Sequence, residues 1–366
     1  MKFMCEKLKM LKVLTNVSRG VSTKSAVPAL EGIRITVKDS LVCFESFNME
    51  FGLKTQLHVD CYENGSIVVP AKLFTEIIRK LPDSIVTVKT ENLNVLVNCL
   101  ESNFTISAFS SADFPDLPCA DRDSSILLPS RLVGNMVRQT IFSVADGTEN
   151  SVHSGELWDV RNGILTVVAV DGFRMSIRKE NVGINESFKV IIPGKALAEV
   201  VRLLPPDDVD IKIFLSERYV FFEFGDYIFL SRLLEGSYID YTSAIPQECS
   251  TKIKLNVKSA ISSLERVAVL INDRLQTPVK MVVEPPSMLK FSCSTPLGYS
   301  SDEIESDVSG EILEIAFNDR YLLDVLKNCD SDEVIVELTS ALRPIKIVPV
   351  SGDSFTFIVL PVRTKD

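Results

Sequence analysis

The sequence predicts an α+β protein in which one domain of about 124 residues occurs three times. An apolar segment that contains a proline, residues 67–82, returns as residues 190–205, and matching residues lie 123 positions apart. A weaker third copy, residues 315–327, follows the second at an offset of 125. A separate short feature, residues 114–116, returns as residues 238–240 at an offset of 124. Because independent features share nearly one offset, the whole domain repeats, and 366 residues hold about three copies.

Each copy is expected to contain two helices and a majority of strand. The first helix of each copy is predicted at about residues 6–18, 130–142 and 257–270. Strands with partial apolar–polar alternation follow, for example residues 32–37 and 163–168. A strand that ends at a proline or an asparagine then leads into the second helix. Proline is tolerated at this point because its missing N–H would have no partner in the first turn.

Polar stretches predict where one copy ends and the next begins. They lie near residues 119–125 and 247–253. The predicted domains are therefore residues 1–122, 123–250 and 251–366.

Composition is that of an ordered globular protein. Hydrophobic residues make up 46% and charged residues 24%, which leaves ample apolar material for buried cores. No apolar run approaches the roughly 18 residues that span a bilayer. The first seven residues lack the apolar stretch of a secretory signal. We therefore expect a cytoplasmic protein.

The cysteines and histidines do not suggest a metal site. The eight cysteines are scattered without a CxxC pair, and most lie in apolar surroundings, so we expect buried reduced thiols. Two histidines, His58 and His153, are too few for a histidine-rich site. We expect no cofactor and no metal.

Motifs that carry catalysis are not found. The chain has no P-loop, GxGxxG, GxSxG or HExxH pattern. Acidic clusters at 121–123 and 330–333 are interpreted as solvated turns rather than Mg²⁺ ligands. Asp171-Gly172 is interpreted as a turn after a strand. The sequence therefore favours a protein without catalytic activity.

Positive charge is concentrated on the predicted helices although the net charge is −10. Basic residues seven positions apart share one helix face, and the pairs are Lys72 and Arg79, Lys195 and Arg202, Arg320 and Lys327, and Arg131 and Arg138. On a single helix such a pair is usually an ordinary solvated face. The same pair at the same place in three repeats favours a repetitive anionic partner. Duplex DNA fits, because its phosphates can be held without reading bases.

Several of these segments resemble the bacterial sliding clamp, the beta subunit of DNA polymerase III, along essentially the whole chain. The landmarks include V-A-V-D-G-F-R-M, S-R-L-L-E-G-S-Y-I-D-Y and the closing V-L-P-V-R. Their positions, with the other matching segments, are residues 69–72, 112–115, 168–175, 231–241, 317–326 and 359–363.

The resemblance implies a specific architecture and role. Three clamp domains, each with two helices packed on antiparallel sheets, would pair head to tail with a second chain as a homodimeric six-domain ring. Cationic helices would line the hole, and sheets would lie outside. The ring would encircle duplex DNA as a non-catalytic processivity factor. Its partners would be the replicative DNA polymerase, the clamp loader, mismatch repair proteins and DNA ligase.

The resemblance also assigns site residues, position by position. A partner-peptide pocket between the second and third domains would comprise Val170, Gly172, Arg174, Met175, Pro246, Asn318, Tyr321, Leu342, Ile358, Leu360, Pro361, Val362 and Arg363. Contacts to DNA would come from Lys24, Lys72, Arg79, Lys195, Arg202, Arg320 and Lys327. The dimer interface would pair Phe104 and Ile106 with Val269 and Leu270.

A few positions depart from the family pattern. Phe173 stands where the family often has histidine, Val170 where it often has threonine, and Ile239 where it usually has proline. Ser151 and Val152 replace a tyrosine pair of some relatives, and residues 364–366 extend past the usual terminal arginine. Two other functions remain open from the sequence: a clamp-like dimeric peptide-binding scaffold without a replicative role, and an enzyme of unknown chemistry.

Overall fold

The computed structural model describes residues 1–120, 125–147, 151–184, 186–271 and 277–363. The acidic cluster at 121–123 and the tail at 364–366 lie outside the described residues. Within these ranges each repeat has two helices, which are α1 (Lys7–Val17), α2 (Ala71–Lys80), α3 (Ser130–Arg138), α4 (Gly194–Leu203), α5 (Val257–Val267) and α6 (Asp319–Lys327).

Strands hold more residues than helices in each repeat, but they cover less than half of its length, so the expected majority of strand is not reached. Those of the first repeat are β1 (Lys2–Glu6), β2 (Gly32–Lys38), β3 (Leu41–Phe47), β4 (Phe51–His58), β5 (Asp60–Glu63), β6 (Gly65–Pro70), β7 (Ile85–Glu91), β8 (Asn94–Cys99) and β9 (Ser102–Ser107). Those of the second are β10 (Ile126–Pro129), β11 (Gly155–Arg161), β12 (Ile164–Val170), β13 (Arg174–Asn181), β14 (Phe188–Pro193), β15 (Asp210–Leu215), β16 (Tyr219–Phe224) and β17 (Tyr227–Arg232). Those of the third are β18 (Thr251–Asn256), β19 (Val279–Glu284), β20 (Met288–Thr295), β21 (Gly298–Glu305), β22 (Asp307–Gly310), β23 (Leu313–Phe317), β24 (Glu333–Leu338), β25 (Ile345–Pro349) and β26 (Phe355–Val359).

The repeat predicted from the sequence is confirmed by the element bounds. Strands β2, β3, β4 and β6 and helix α2 recur with the same lengths 123 positions later as β11, β12, β13, β14 and α4. The chain is therefore a tripled α+β domain built on antiparallel sheets.

Two helices end earlier than the sequence predicted. Helix α3 stops at Arg138 rather than at residue 142, and α5 stops at Val267 rather than at residue 270. Short 3-10 turns, Ile141–Ser143 and Ala268–Leu270, follow them. Apolar residues continue through these turns, so hydrophobic periodicity alone does not mark the change to the tighter turn.

The chain forms two compact units, and each combines strands of two successive repeats. Unit 1 comprises Met1–Val133 with Lys195–Leu233, and unit 2 comprises Gly134–Gly194 with Leu234–Asp366. Unit 1 holds a five-stranded sheet, β5-β1-β7-β8-β9, and an eight-stranded sheet, β10-β15-β16-β17-β4-β3-β2-β6. Unit 2 holds a nine-stranded sheet, β14-β11-β12-β13-β26-β25-β24-β18-β22, and a four-stranded sheet, β21-β20-β19-β23.

Amphipathic helices pack against these sheets. Helix α2 buries Phe74, Ile77 and Ile78 and exposes Lys72 and Arg79, so its apolar face covers the unit 1 core. In unit 2 a large core joins α5 and α6 to strands of the nine-stranded and four-stranded sheets. Within the described part of the chain, no helix is long and apolar enough to cross a lipid bilayer.

Candidate functional sites

A tight turn between β12 and β13 positions the first candidate site, in unit 2. One carboxylate oxygen of Asp171 accepts hydrogen bonds from the backbone N–H groups of Phe173 and Arg174, both at 2.9 Å. Gly172 has φ of +90°, which glycine adopts without strain. The predicted Asp-Gly turn is therefore present, and it exposes Phe173 at the tip of the hairpin.

The Arg174 guanidinium contacts two carboxylates and two aromatic rings. Its Nε donates to Asp171 at 2.9 Å, and its Nη1 donates to Asp324 on α6. The guanidinium also lies 4.7 Å from the ring centroid of Tyr321 and 5.4 Å from that of Phe142. Burial, then the charge of Asp171, raises the pKa of the Tyr321 hydroxyl. Arg174 thus joins the hairpin to α6 and has little capacity left for another anion.

A cavity of about 690 Å³ opens beside this hairpin. Beneath it lies a small apolar core that includes Leu157, Val168, Ile177 and Tyr238. Seven of the thirteen predicted pocket residues line the cavity: Val170, Gly172, Arg174, Met175, Pro246, Ile358 and Leu360. An apolar groove with a few polar groups at its rim suits a short extended peptide.

Six predicted pocket residues do not line the cavity: Asn318, Tyr321, Leu342, Pro361, Val362 and Arg363. Asn318 caps α6, its side chain accepting from the N–H of Arg320 at 3.0 Å. Tyr321 stacks on Phe173, with ring centroids 5.8 Å apart. The N–H of Val362 donates to the carbonyl of Ala316 at 2.8 Å. These residues therefore support or border the cavity rather than form its wall.

Sequence reasoning missed part of the wall. Its additional residues, of which Phe173 and Ile239 were noted only as departures from the family, are Phe173, Ile239, Ser243, Ala244, Ile245, Gln247, Glu248, Thr339, Arg343 and Pro344. The run 239–248 overlaps and continues the repeated feature at 238–240, so its position in the chain could have pointed to it. In the turn at 339–344 the family resemblance pointed only to Leu342, which does not line the cavity, while Thr339, Arg343 and Pro344 do.

The predicted cationic residues lie exposed on the second helices. Lys72 and Arg79 are on α2, Lys195 and Arg202 on α4, and Arg320 and Lys327 on α6, while Lys24 is exposed in a loop after α1.

Carboxylates on the same surfaces reduce the positive charge of these helices. Arg79 pairs with Glu76 and Arg202 with Glu199, each one turn earlier, and Lys327 pairs with Glu265 at 2.7 Å. These ion pairs offset part of the positive charge on the three helices.

Each unit leaves one candidate interface strand at a sheet edge. In unit 1, β9 is the last strand of its sheet; Phe104 on it is 39% exposed and Ile106 is half-buried. In unit 2, β21 is the edge strand, and the turn Ala268–Leu270 that carries Val269 packs beside it. An edge strand presents free backbone N–H and C=O groups that another chain can pair with.

The cysteines follow the expectation only in part. Cys5, Cys99 and Cys293 are buried, but Cys119 is exposed, so the buried-thiol expectation is wrong there. Burial raises the pKa of the Cys5 thiol to about 11, which keeps it unreactive at neutral pH. Among the described residues, no three His, Cys, Asp or Glu side chains are grouped as a metal site.

Comparison with known proteins places the whole chain in one family. The models for the DNA polymerase III beta subunit match in three parts: the N-terminal domain at residues 1–118, the central domain at 127–240 and the C-terminal domain at 242–363.

Relatives match from end to end. The chain is 30% identical to the beta sliding clamp of Bacillus subtilis (strain 168), covering 100% of both chains, and 31% identical to that of Staphylococcus aureus (strain N315), covering 96% of both. The crystal structure of the DNA polymerase sliding clamp from Bacillus subtilis superimposes with a TM-score of 0.97 at 30% identity and 100% coverage of both chains. A putative DNA polymerase III beta subunit from Eubacterium rectale gives 0.95 at 31% identity and 99% coverage of both chains. The chain therefore belongs to the DNA polymerase III beta subunit family, that of the beta sliding clamps.

Proposed function

We propose that this chain is a DNA polymerase processivity factor, a non-catalytic ring that encircles duplex DNA and tethers the replicative polymerase, acting in the cytoplasm. The observation that carries the proposal is the way successive repeats share sheets. We propose domains 1–122, 123–250 and 251–366, which follow the repeat period and the polar stretches.

Strand sharing follows one rule: the last strand of a repeat pairs with β4, or with the counterpart of β4, in the preceding repeat. In unit 1, β17 of the second repeat pairs with β4 of the first. In unit 2, β26 of the third repeat pairs with β13 of the second. By the same rule β9, the counterpart of β17 in the first repeat, needs the counterpart of β4 from a third repeat, which is β21. A second copy of the chain supplies that strand, so repetition of the rule closes a head-to-tail ring.

The rule also predicts the register of the ring interface. Strands β4, β13 and β21 each have eight residues, and β9 and β17 each have six. Since Phe229 pairs with Leu53, the corresponding pair across the interface is Phe104 with Ser300. Asn103 then lies opposite Ser301, and Val269 and Leu270 border the same strand.

Engineered cysteines test this register. In a Cys119→Ser background, Asn103→Cys with Ser301→Cys should form a covalent dimer on oxidation, because directly opposed side chains lie about 5 Å apart. Asn103→Cys with Ser300→Cys is the matched control, since a slip of one residue points the side chains to opposite faces. Stronger cross-linking of the control would refute the register.

DNA would be held by topology, with the helix cations providing weak contacts. The exposed pairs on α2, α4 and α6, together with Lys24, support this assignment. Because neighbouring carboxylates already neutralise several of them, the ring could slide rather than bind tightly.

Retention on DNA tests the function directly. The protein is loaded by a cognate clamp loader onto nicked circular duplex, and half of the isolated complex is linearised. We expect retention on circles and loss from linear ends. Equal retention on both would indicate ordinary DNA binding. No loading, with a known clamp and its loader working as control, would favour the dimeric peptide-binding scaffold instead.

Charge reversal tests the helix assignment. Lys195→Glu with Arg202→Glu should lower DNA loading without disturbing the dimer. Lys38→Glu with Lys212→Glu, at exposed positions on the strands of unit 1, makes the same charge change as a control. Equal loading by both double variants would contradict the assignment of α4 to the DNA side.

The cavity beside the β12–β13 hairpin is proposed to bind peptides of the polymerase, the clamp loader, mismatch repair proteins and DNA ligase. Its apolar wall and polar rim support this use. Leu360→Ala should weaken binding of the cognate polymerase segment, as measured by calorimetry, more than Val362→Ala does, because only Leu360 lines the cavity. If the double variant, Leu360→Ala with Val362→Ala, binds the segment with unchanged affinity, the cavity is not the peptide-binding site.

A further inference from the structure

Three charged residues line the 690 Å³ cavity, and they differ in how far their charges are satisfied. They are Arg174, Glu248 and Arg343. Arg174 is engaged by Asp171 and Asp324 and lies against two rings. Arg343 is exposed, and it makes no ion pair with any residue in the described ranges. The cavity therefore presents one cation that is available to a ligand.

The backbone around Arg343 is fixed although its side chain is exposed. The residue ends a turn between β24 and β25, where its N–H donates to the carbonyl of Ser340 at 3.3 Å. Pro344 follows, and a residue before proline is restricted to extended conformations. The Thr339 hydroxyl donates to the carbonyl of Glu248 at 2.6 Å, which ties the turn to the segment that contributes residues 243–248 to the cavity wall. The guanidinium thus extends from a fixed point on the rim.

We propose that Arg343 is a specificity-determining residue that selects peptides carrying an aspartate or glutamate beside their apolar anchors. This inference rests on the proposed function of the cavity as a peptide-binding site. The apolar wall holds the anchors, and the guanidinium donates two parallel N–H···O hydrogen bonds to the carboxylate. Glu248 on the same rim disfavours a second acidic residue and favours a basic one. The site therefore discriminates by the sign and position of charge within a short peptide.

The expected effect is modest because the rim is exposed to water. A charge pair of this kind changes affinity by roughly threefold to fivefold at low salt, and the difference shrinks as salt screens it. Selection of this size ranks competing partners without excluding any of them.

A double-mutant cycle tests the proposal. The probes are acetylated octapeptides in which two leucines and a phenylalanine are flanked by serines, with each serine replaced in turn by Asp or Asn. Calorimetry on the full chain should find one position where Asp binds about fourfold tighter than Asn. That preference should disappear in Arg343→Gln and persist in Arg218→Gln, an exposed arginine in the turn between β15 and β16.

The outcomes separate this proposal from the peptide pocket itself. If the Asp preference is the same in Arg343→Gln as in the unsubstituted chain, or if no position prefers Asp, Arg343 does not select for charge, although the pocket stands. If no peptide of the series and no segment of the cognate polymerase binds, the pocket assignment fails as well. Loss of all binding in Arg343→Gln, without loss of fold by circular dichroism, would also overturn a purely selective role.

Discussion

Strands β2, β3 and β4 of unit 1 correspond to β11, β12 and β13 of unit 2. One face of these strands carries a row of charged residues in unit 1, whereas the same face forms the apolar floor of a cavity in unit 2. In unit 1, cross-strand pairing places Arg34, Glu45 and Lys54 in one row. Arg34 donates to Glu45 at 2.7 Å, and Lys54 lies 3.2 Å from the same carboxylate. Shifting by 123 positions gives the unit 2 row of Leu157, Val168 and Ile177. All three are at most 1% exposed and lie beneath the 690 Å³ cavity.

The opposite face of these strands reverses the pattern. Unit 2 buries the carboxyl group of Glu156, which accepts from the Thr140 hydroxyl at 2.8 Å and from the Trp158 indole at 3.3 Å. The unit 1 counterpart of Glu156 is Ile33, and that of Thr140 is Val17. The same strand arrangement thus accepts polar or apolar side chains on either face, and the apolar row forms the floor of the 690 Å³ cavity. A smaller cavity of about 430 Å³ over the unit 1 row has a charged wall instead.

The largest expected effect comes from moving the unit 1 charge into unit 2. Val168→Glu places a carboxylate between Leu157 and Ile177 without a cation, and it should destabilise the fold by about 4 kcal/mol. Peptide binding should fall with it. Thermal unfolding measures the first effect and calorimetry the second.

Two further variants make this test specific. Val168→Ala loses only packing, so we expect about 2 kcal/mol of destabilisation. Combining Val168→Glu with Leu157→Arg and Ile177→Lys rebuilds the unit 1 row and should recover part of the stability. A loss from Val168→Glu no larger than from Val168→Ala would mean that the floor tolerates charge and that the comparison is wrong.

The second prediction concerns the buried carboxyl group on the other face. Complete burial raises the pKa of Glu156 to about 8 despite its two hydrogen bonds. In the unfolded chain the Glu156 carboxyl group ionises near pH 4.5, so the folded state is destabilised as the pH rises from 4.5 to 8. The side chain introduced by Glu156→Gln is neutral at every pH. The free energy of unfolding of this variant should therefore equal that of the unsubstituted protein at pH 5 and exceed it by about 3 kcal/mol at pH 8.

Exposed Glu217 provides a control for general charge effects. The difference in unfolding free energy between Glu217→Gln and the unsubstituted protein should not change with pH over the same range. If Glu156→Gln follows the same pH profile as the unsubstituted protein, Glu156 is ionised in the folded state, and the buried-acid interpretation is wrong.

The third prediction breaks the unit 1 row. Glu45→Val leaves Lys54 without its carboxylate and Arg34 with only the exposed Asp116 as partner, and since the Arg34 side chain is only 14% exposed, we expect a loss of about 2 kcal/mol. Glu45→Val with Arg34→Leu and Lys54→Ile copies the unit 2 row and should restore stability in urea unfolding. A single variant as stable as the unsubstituted protein would show that the row contributes little.

Much of this fold could be read from the sequence because the repeat is strict. Pro70 and Pro193 share the offset of whole strands, so one recurring segment located helices and sheets together. The α3 end was missed because Thr140 and the apolar residues after it continue the helical pattern through a tighter turn.

The candidate pocket was only partly predictable. Val170 and Met175 belong to the family motif at residues 168–175, and both line the cavity. Arg343 and Thr339 come from a turn that is distant in the chain, and no local pattern marks their approach. The charged unit 1 row was not recognised either, because Arg34, Glu45 and Lys54 become neighbours only through strand register.

The smallest effect concerns the turn that both repeats use. Asn48 accepts from the backbone N–H of residues 50 and 51, as Asp171 does from residues 173 and 174. At the left-handed position, however, unit 1 has Met49 with φ of +74° where unit 2 has Gly172. Met49→Gly should therefore stabilise the protein by about 0.5 kcal/mol, since relief of backbone strain outweighs the entropy of the unfolded chain. Gly172→Met should cost a similar amount, because open space would surround its Cβ and only the backbone is strained. Differential scanning calorimetry on both variants measures the two shifts. Equal signs for the two substitutions would mean that contacts of the Met49 side chain, rather than backbone conformation, set the stability of this turn.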